Sequence, residues 1–309
     1  MAEMFYQRDV YGKTLVELGK VNKDIVVLDA DLSSSTRTSI FAKEFPQRFF
    51  NFGVAEQNMM ATAAGLASCG KIVFLSTFAV FAAGRAWDQV RVSISYNNFN
   101  VKIVATHAGI TVGPDGASHQ ALEDIALMRV LANMNIIVPC DGPQTADAII
   151  AATNTPGPFY IRLGRSKVPT VENKADFKLG KAQVISEGND VTIVACGIMV
   201  YEALLAVKSL AQKGIKARLI NMHTIWPLDN EVILKAAKET KFFVVCEEHN
   251  VIGGLASSVN EAVSESFPKK VIRLGIRNRY GQSGEPADLL KEYNLTRLDI
   301  EKAVLSNIP

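Results

Sequence analysis

Short β-branched runs alternate with helical patterns along almost the whole chain of 309 residues. In the first half, strands are predicted at residues 25–30, 72–76, 101–106, 136–138 and 159–162, and helices near residues 8–22, 55–69, 80–97, 120–132 and 143–153. Apolar strands that alternate with helices pair in parallel, and the helices cover both faces of the sheet. The pattern therefore predicts an α/β fold with mostly parallel sheets.

The alternation stops in residues 166–189, a polar segment with little periodicity, and resumes from residue 191. Strands predicted at 191–197, 216–222, 242–248 and 270–275 then alternate with helices at 199–213, 229–239, 253–266, 286–292 and 296–306. The chain length also fits two domains of ordinary size. We therefore predict one α/β domain over residues 1–168, a linker over 169–189 and a smaller α/β domain over 190–309.

Composition excludes several classes of protein. A net charge of +2 gives no electrostatic reason to bind nucleic acid or an anionic membrane. No apolar run is long enough to span a bilayer, and the polar N-terminus is unlike a signal peptide. The four cysteines are scattered through apolar runs, which is typical of reduced core residues. We therefore expect a cytoplasmic protein with no nucleic-acid and no membrane partner.

Two of the four histidines lie in one glycine-rich loop, THAGITVGPDGASHQ, at residues 106–120. The loop holds His107, Asp115 and His119 and follows a predicted strand. Ligands of open α/β sheets bind beyond the carboxyl ends of strands. Titratable side chains there suit hydrogen bonding to a polyhydroxylated substrate. The alternative is a surface loop whose histidines cap backbone groups.

Glu56 is the single acid in the apolar segment NFGVAEQNMMATAAGLASCG, residues 51–70, which contains no lysine or arginine. Three interpretations are open. Glu56 could be an exposed acid stabilised by the dipole of the helix that follows. It could be half of a buried ion pair. It could also be a buried, uncharged carboxyl group that holds or passes a proton near neutral pH.

The remaining candidates are weaker when each is taken alone. Phe78 and Phe81 have helical spacing and are typical of a core. Ser35 and Thr36 follow a predicted strand, and either suits a helix N-cap. Arg162 and Arg165 end the last predicted strand of the first domain, where they could be surface charges or ligands of an anion. Neither GxGxxG nor GxxxxGK[ST] occurs in the sequence.

In this order, the segments ADLSSS, NFGVAEQNM, STFAVF, THAGITVGPDGASHQ and LGRSKVP resemble motifs of the transketolase family of thiamine diphosphate enzymes. The segment CEEHNVIGGLASSV resembles the C-terminal domain of that family. The resemblance implies a pyrimidine-binding domain followed by a transketolase C-terminal domain. It does not extend to the family's diphosphate-binding domain, whose GDG motif and asparagine hold a divalent metal.

The resemblance thus implies the C-terminal subunit of a split transketolase. A separate N-terminal subunit would bind the cofactor's diphosphate and ligate Mg²⁺ or Ca²⁺, and the two subunits would form an α2β2 assembly. The family transfers a two-carbon ketol unit from a ketose phosphate to an aldose phosphate through a dihydroxyethyl intermediate on thiamine diphosphate.

The resemblance also implies roles for individual residues. Glu56 matches the glutamate that hydrogen-bonds N1′ of the aminopyrimidine, Phe78 and Phe81 match aromatic residues that pack on that ring, and Asp31 matches an aspartate near the cofactor. Gly84 stands where transketolases often have a tyrosine.

For the substrate, the resemblance implies that the sugar phosphate is bound by Arg8, Ser35, His107 and Arg165. Asp115 matches the residue that bonds the C2 hydroxyl, and His119 matches the histidine near the reacting carbonyl. Glu56, His107 and His119 are thus the expected catalytic residues.

Other interpretations remain open. Ala108, Gly109 and the segment AEQ look more like deoxyxylulose-phosphate synthases, so half of such a synthase is one alternative. A second is the β subunit of a 2-oxo acid dehydrogenase, against which His119 argues. A third is a non-catalytic partner that stabilises an N-terminal subunit.

Overall fold

The structure is a computed structural model that describes residues 3–172 and 175–308. The strands and helices of its first half are β1 (Met4–Tyr6), α1 (Gln7–Val21), β2 (Ile25–Asp29), α2 (Ser33–Thr36), α3 (Thr38–Glu44), β3 (Phe49–Asn51), α4 (Glu56–Ser68), β4 (Ile72–Phe78), α5 (Trp87–Gln89), β5 (Val101–Thr106), α6 (Asp124–Arg129), β6 (Asn135–Ile137), α7 (Gly142–Asn154), β7 (Phe159–Arg162) and β8 (Lys167–Pro169). Two π-helices (Phe81–Arg85 and Val90–Ser95) flank α5, and 3₁₀ turns lie at Pro46–Arg48 and Ile110–Val112.

The second half continues the alternation of strands and helices. Its elements are β9 (Gln183–Ser186), β10 (Val191–Ala195), α8 (Met199–Gln212), β11 (Ala217–Asn221), β12 (Thr224–Trp226), α9 (Asn230–Glu239), β13 (Phe243–Asn250), α10 (Leu255–Ser266), β14 (Val271–Ile276), α11 (Pro286–Glu292) and α12 (Arg297–Leu305). Within the two described ranges, every helix is too short or too polar to cross a bilayer.

The larger sheet has seven strands in the order β12-β6-β7-β5-β4-β2-β3. All neighbours are parallel except β12, which pairs antiparallel with β6. Strands β2, β5 and β7 are buried along their whole length, as expected for β-branched strands covered on both faces. The predicted α/β fold with mostly parallel sheets is confirmed.

The smaller sheet has five strands in the order β14-β13-β10-β11-β9, with β9 antiparallel at one edge. Strand β12 leaves this unit and adds to the edge of the larger sheet, where Thr224 pairs with Ile137. One apolar cluster contains both Leu75 of the larger sheet and Phe243 of the smaller sheet. The two halves of the chain are therefore joined by shared packing as well as by the connecting segment.

The sequence prediction missed helices α2 (Ser33–Thr36) and α3 (Thr38–Glu44) and five short strands. Strands β1, β3, β8, β9 and β12 have three or four residues each, too few for a clear period of two. Strand β9 lies inside the segment 169–189 that we assigned to a linker, and residues 173 and 174 of that segment lie outside the described residues. Helix α6 begins at Asp124, later than the predicted helix 120–132, because residues 120–123 belong to the glycine-rich loop and the segment that directly follows it.

Asp141 joins α7 to the segment that leaves the first domain. Its side chain is buried and accepts the N–H of Gln144 at 2.9 Å and the N–H of Val171 at 2.9 Å. For Asp141→Ala, we expect the free energy of unfolding to fall by about 2–4 kcal/mol, because an N-cap is lost and a buried N–H loses its acceptor. Urea unfolding would measure this. The exposed Asp288→Ala is the control, with an expected change below about 0.5 kcal/mol. Equal effects of the two substitutions would contradict the assignment.

Candidate functional site

The carboxyl ends of four neighbouring strands meet at one edge of the seven-stranded sheet. In register, Asp29 of β2 pairs with Ser76 of β4, Phe78 pairs with Thr106 of β5, and Ala105 pairs with Arg162 of β7. Six of the ten predicted site residues end these strands or follow them within six positions. The other four are Arg8 in α1, Glu56 at the start of α4, and Asp115 and His119 farther along the loop after β5. This edge is where open α/β sheets bind ligands.

An aromatic cluster lies at this edge and joins two segments that are distant in sequence. The ring of Phe78 stacks on His107 with 3.8 Å between centroids, and it lies 5.9 Å from the ring of Phe81. His119 meets Phe81 edge-on at 5.6 Å. Phe78 is buried and Phe81 half-buried, so the pair is not simply core. A Cβ at Gly84 would meet nothing within 4 Å, so there is open space beside the cluster.

Glu56 is the first residue of α4 and is only 1% exposed. Its two carboxylate oxygens lie 2.8 and 2.9 Å from Nη1 of Arg85. Of the three interpretations, the structure therefore excludes an exposed acid and shows an ion pair in which Glu56 is buried and Arg85 is partly exposed. Segment 51–70 contains no lysine or arginine, and the cation that reaches Glu56 comes from outside it, because the chain returns through β4 and the π-helix that carries Arg85. The Arg85 guanidinium also lies 4.7 Å from the centroid of the Phe81 ring.

His107 is buried, and its Nδ1 lies 2.9 Å from Oγ1 of Thr106. Burial, together with the neighbouring Arg8, Arg165 and His119, lowers the pKa of His107 to about 3. The imidazole is therefore neutral at physiological pH, so it can donate or accept a hydrogen bond without carrying a charge. A neutral ring also stacks on Phe78 without the loss of ionic hydration.

Two arginines bring positive charge to the same edge. Arg8 donates from Nη1 to the carbonyl of Ser35 at 3.2 Å, whereas its buried Nε has no hydrogen-bond partner among the described residues. Burial lowers the pKa of Arg8, and nearby Arg37 lowers it further. Arg165 donates from Nη1 to the carbonyl of Val112 at 2.7 Å. Paired guanidinium groups with a free N–H suit an anion.

The acidic candidates lie at the rim of this edge. Asp31 has a φ of 64° and is exposed, and its carboxylate accepts from Nδ2 of Asn51 at 3.3 Å. Asp115 is also exposed and lies 3.9 Å from Nη2 of Arg165. Ser35 and Thr36 lie inside α2, whose N-cap is Leu32, so the expectation that one of them is an N-cap is wrong. The structure thus brings Arg8, Ser35 and His107 close together and places Asp31 beside Asn51.

Arg162 is neither a surface charge nor free to bind an anion, so both expectations for it are wrong. The guanidinium is buried and donates to the Asp124 carboxylate at 2.8 Å, and the Tyr160 hydroxyl donates to the same carboxylate at 2.7 Å. The physical reason is the position of β7, which lies between β5 and β6 inside the sheet. Arg162 is therefore part of the buried structure next to the candidate site and does not line it.

Sequence reasoning missed Arg85 and Thr106. Arg85 lies four positions after Phe81 in the predicted helix 80–97, so helical spacing could have found it. Thr106 directly precedes His107, and a side-chain contact between adjacent residues leaves no signal in a sequence pattern. In residues 3–172 and 175–308, no group of three or more histidine, cysteine, aspartate or glutamate side chains could hold a metal ion.

Two family patterns match the chain. Residues 4–171 match the family described as "Transketolase, pyrimidine binding domain". Residues 180–300 match the family described as "Transketolase, C-terminal domain".

Individual relatives cover nearly the whole chain. A Methanocaldococcus jannaschii protein that carries the name of a transketolase C-terminal section is 49% identical over 97% of this chain and 96% of its own length. A 6-deoxy-6-sulfo-D-fructose transketolase subunit from Clostridium sp. strain MSTE9 is 40% identical over 97% of this chain and 94% of its own. A solved structure described as a split gene transketolase, inactive beta4 tetramer, is 53% identical with a TM-score of 0.91, and the match covers 98% of both chains.

The pKa of His107 predicts how stability depends on pH. Its folded value of about 3 lies below the ordinary 6.5, so the unfolded chain binds more protons between these values. The free energy of unfolding should therefore fall as the pH decreases from 6.5 towards 3. His223 and His249, whose pKa values are lowered to about 4, contribute with the same sign.

For His107→Asn, we expect the loss of stability between pH 7 and pH 5 to be smaller by about 2 kcal/mol, because one of these groups no longer titrates. Urea unfolding of both proteins at the two pH values measures the difference. The wild-type protein supplies a direct check by NMR: a His107 imidazole resonance that titrates near pH 6.5 would contradict the prediction.

Proposed function

The chain belongs to the transketolase family, and from this premise we propose that it is the C-terminal subunit of a split transketolase. The family depends on thiamine diphosphate. In this proposal the subunit transfers a two-carbon ketol unit from a ketose phosphate to an aldose phosphate. The observation that carries the proposal is the convergence of buried Glu56, the aromatic pair Phe78 and Phe81, and the cations Arg8 and Arg165 at one sheet edge.

The aminopyrimidine of the cofactor fits the surroundings of Glu56. The Phe78 and Phe81 rings provide an apolar wall, and open space lies beside them at Gly84. When bound, the cofactor's thiazolium supplies the electron sink that carbon–carbon cleavage needs. Glu56 would carry a proton on a carboxyl oxygen and donate it in a hydrogen bond to N1′. A cation beside a carboxyl group favours its ionised form, so Arg85 has to move away.

Arg85 is suited to this exchange. Its side chain is 47% exposed although its partner Glu56 is 1% exposed, so the guanidinium can return to water while the carboxyl group stays in place. The Glu56 carboxyl group and the face of Phe81 that Arg85 occupies would then be available to hold the cofactor's pyrimidine. In this proposal, binding of the cofactor's pyrimidine therefore depends on the movement of one partly exposed side chain, Arg85.

The positive charges of Arg8 and Arg165 indicate the class of substrate. Arg8 with its free Nε and Arg165 would bind the anionic head of a sugar, and the neutral His107 would hydrogen-bond a hydroxyl group without competing for the charge. Asp115 and His119 stand at the rim, where they would meet the C2 hydroxyl and the reacting carbonyl. The relative named for 6-deoxy-6-sulfo-D-fructose has a substrate with a terminal sulfonate, which resembles phosphate in charge and shape.

A second subunit completes the site in this proposal. The two matched domains are the pyrimidine-binding and C-terminal domains, so a separate N-terminal subunit would bind the diphosphate and ligate Mg²⁺ or Ca²⁺. The beta4 form of the similar split-gene protein is described as inactive, which agrees with such a division of labour. On α4, the exposed small residues Ala61, Gly65 and Ser68 lie on one face and would let two copies approach within an α2β2 assembly.

Replacing Glu56 tests the proposed chemistry. In the complex reconstituted with the N-terminal subunit, Glu56→Gln should reduce kcat for ketol transfer by about 100-fold or more, because an amide has no acidic proton to donate. The KM for the sugar phosphate should change little, because Arg8 and Arg165 bind the anion. The control is Glu44→Gln, an exposed acid at the end of α3. Full activity of Glu56→Gln would indicate a non-catalytic scaffold.

Replacing Arg85 tests the exchange at the carboxyl group. Arg85→Met should strengthen binding of thiamine diphosphate to the reconstituted complex by up to about fivefold, because a partly exposed ion pair no longer has to break. Titration calorimetry measures this, with the exposed Arg91→Met as the matched control. Weaker binding by Arg85→Met would show that Arg85 holds the cofactor instead of making way for it.

A further inference from the structure

The second domain reaches the glycine-rich loop through one buried carboxylate. Glu248 lies in β13, is 5% exposed, and accepts the backbone N–H of Thr111 on Oε1 at 2.5 Å. Thr111 is the middle residue of the 3₁₀ turn Ile110–Val112, between His107 and Asp115. The contact joins residues that are 137 positions apart, so it fixes the loop relative to the smaller sheet.

Gly109 shows how closely the loop packs on this carboxylate. A Cβ at Gly109 would lie 2.3 Å from Cδ of Glu248, and the φ of Gly109 is +81°. Only a glycine meets both demands without displacing the glutamate. The backbone at 109–111 therefore lies directly against Glu248, with no side chain between them.

The second domain also contacts the rest of the loop. Gln120 donates from Nε2 to the carbonyl of Ile110 at 3.0 Å and to the carbonyl of Gln282 at 2.9 Å. A Cβ at Gly116 would come within 2.6 Å of Oγ of Ser283. The loop that carries Asp115 and His119 is thus held between Glu248 on one side and residues 282–283 of the second domain on the other.

The burial of Glu248 makes the contact costly to lose. Burial raises the pKa of Glu248, whereas Arg162 and the Thr111 N–H oppose that shift by stabilising the carboxylate. Arg162 also donates to the backbone carbonyl of Glu248 at 3.0 Å. Removal of the carboxylate would leave the buried Thr111 N–H with no acceptor, and the turn would have to move to find one.

We propose that Glu248 is a positioning residue for ketol transfer: through the Thr111 N–H it sets the loop that places His107 and His119 beside Phe78 and Phe81. The inference rests on the proposed function and assigns a catalytic contribution to the second domain. Glu248 lies behind the loop and touches no reacting atom in this arrangement. Its influence is geometric, and displacements of about 1 Å in such a loop reduce turnover by up to about 100-fold.

Three substitutions of Glu248 in the reconstituted complex test this. Glu248→Ala should lower kcat by about 10- to 100-fold. Glu248→Gln should restore most of the turnover, because its amide oxygen still accepts the Thr111 N–H. Glu248→Asp should remain impaired, because its carboxylate is shorter by one methylene group. If Glu248→Ala does not fold, the difference between Gln and Asp decides, and equal kcat values for these two would overturn the proposal.

Glu247 provides the matched control. It is the neighbouring residue and is fully buried, but its carboxylate accepts the N–H groups of Leu255 and Ala256 at the start of α10. Glu247→Ala should therefore destabilise the second domain and leave kcat unchanged at a temperature where the complex is folded. If Glu247→Ala lowers kcat as much as Glu248→Ala does, the effect of Glu248→Ala is a general loss of stability, and the proposal is overturned.

Hydrogen exchange of the full chain gives a readout that is independent of activity. In Glu248→Ala, the amides of residues 110–113 should exchange at least about tenfold faster than in the wild type, and in Glu247→Ala they should not. If the wild-type complex shows no ketol transfer, the proposed function fails, while the exchange rates still test the contact. Unchanged exchange at 110–113 in Glu248→Ala would overturn the positioning role.

Discussion

Parallel pairing of fully buried strands is the constraint on which the candidate site depends. Because β2, β4, β5 and β7 run in the same direction and in register, Asp29, Phe78, Thr106 and Arg162 end at one edge. Each loop that follows a strand then delivers its side chains to the same place. A shift of one residue in any of these pairings would turn the strand's side chains to the opposite face and separate the cluster.

Charges at this edge fall into two classes that have different physical meanings. Asp29 and Asp124 are buried acids: the first accepts from Leu32, Thr36 and Thr38, and the second accepts from Tyr160 and Arg162 on Oδ2, whereas its Oδ1 lies 3.9 Å from Nε2 of His249. These acids lie inside the fold and are compensated by neighbouring donors and cations. Arg8 differs because it is a cation whose charged neighbours include Arg37 and Arg165, and its buried Nε has no acceptor among the described residues. In the proposed function, this excess positive charge would be compensated by the anionic group of the substrate.

Local periodicity predicted most of the long elements, since their pattern repeats often enough to be read, but it missed the seven-residue helix α3. The three-residue strands β1, β3, β8 and β12 carry no such repeat, and β12 forms only because the second domain lies beside β6. The contacts of Arg162 and Glu248 depend on which strand lies next to which, so their partners could not be predicted from local sequence. The motifs placed His107 and Phe78 in a site, but the stacking between them depends on the register of β4 and β5.

The ion pair of Glu56 connects the packing of the free chain with the proposed chemistry. A carboxylate that is 1% exposed is unstable without a partner, so a chain that buries Glu56 has to bring a cation or a hydrogen-bonding ligand to it. Arg85 meets that need and also covers the face of Phe81. The two positions that a bound pyrimidine would need are thus filled by one partly exposed side chain. In the proposed exchange, the carboxyl group would have a partner both before and after the ligand binds, so the apolar site could exist without its ligand and still accept it.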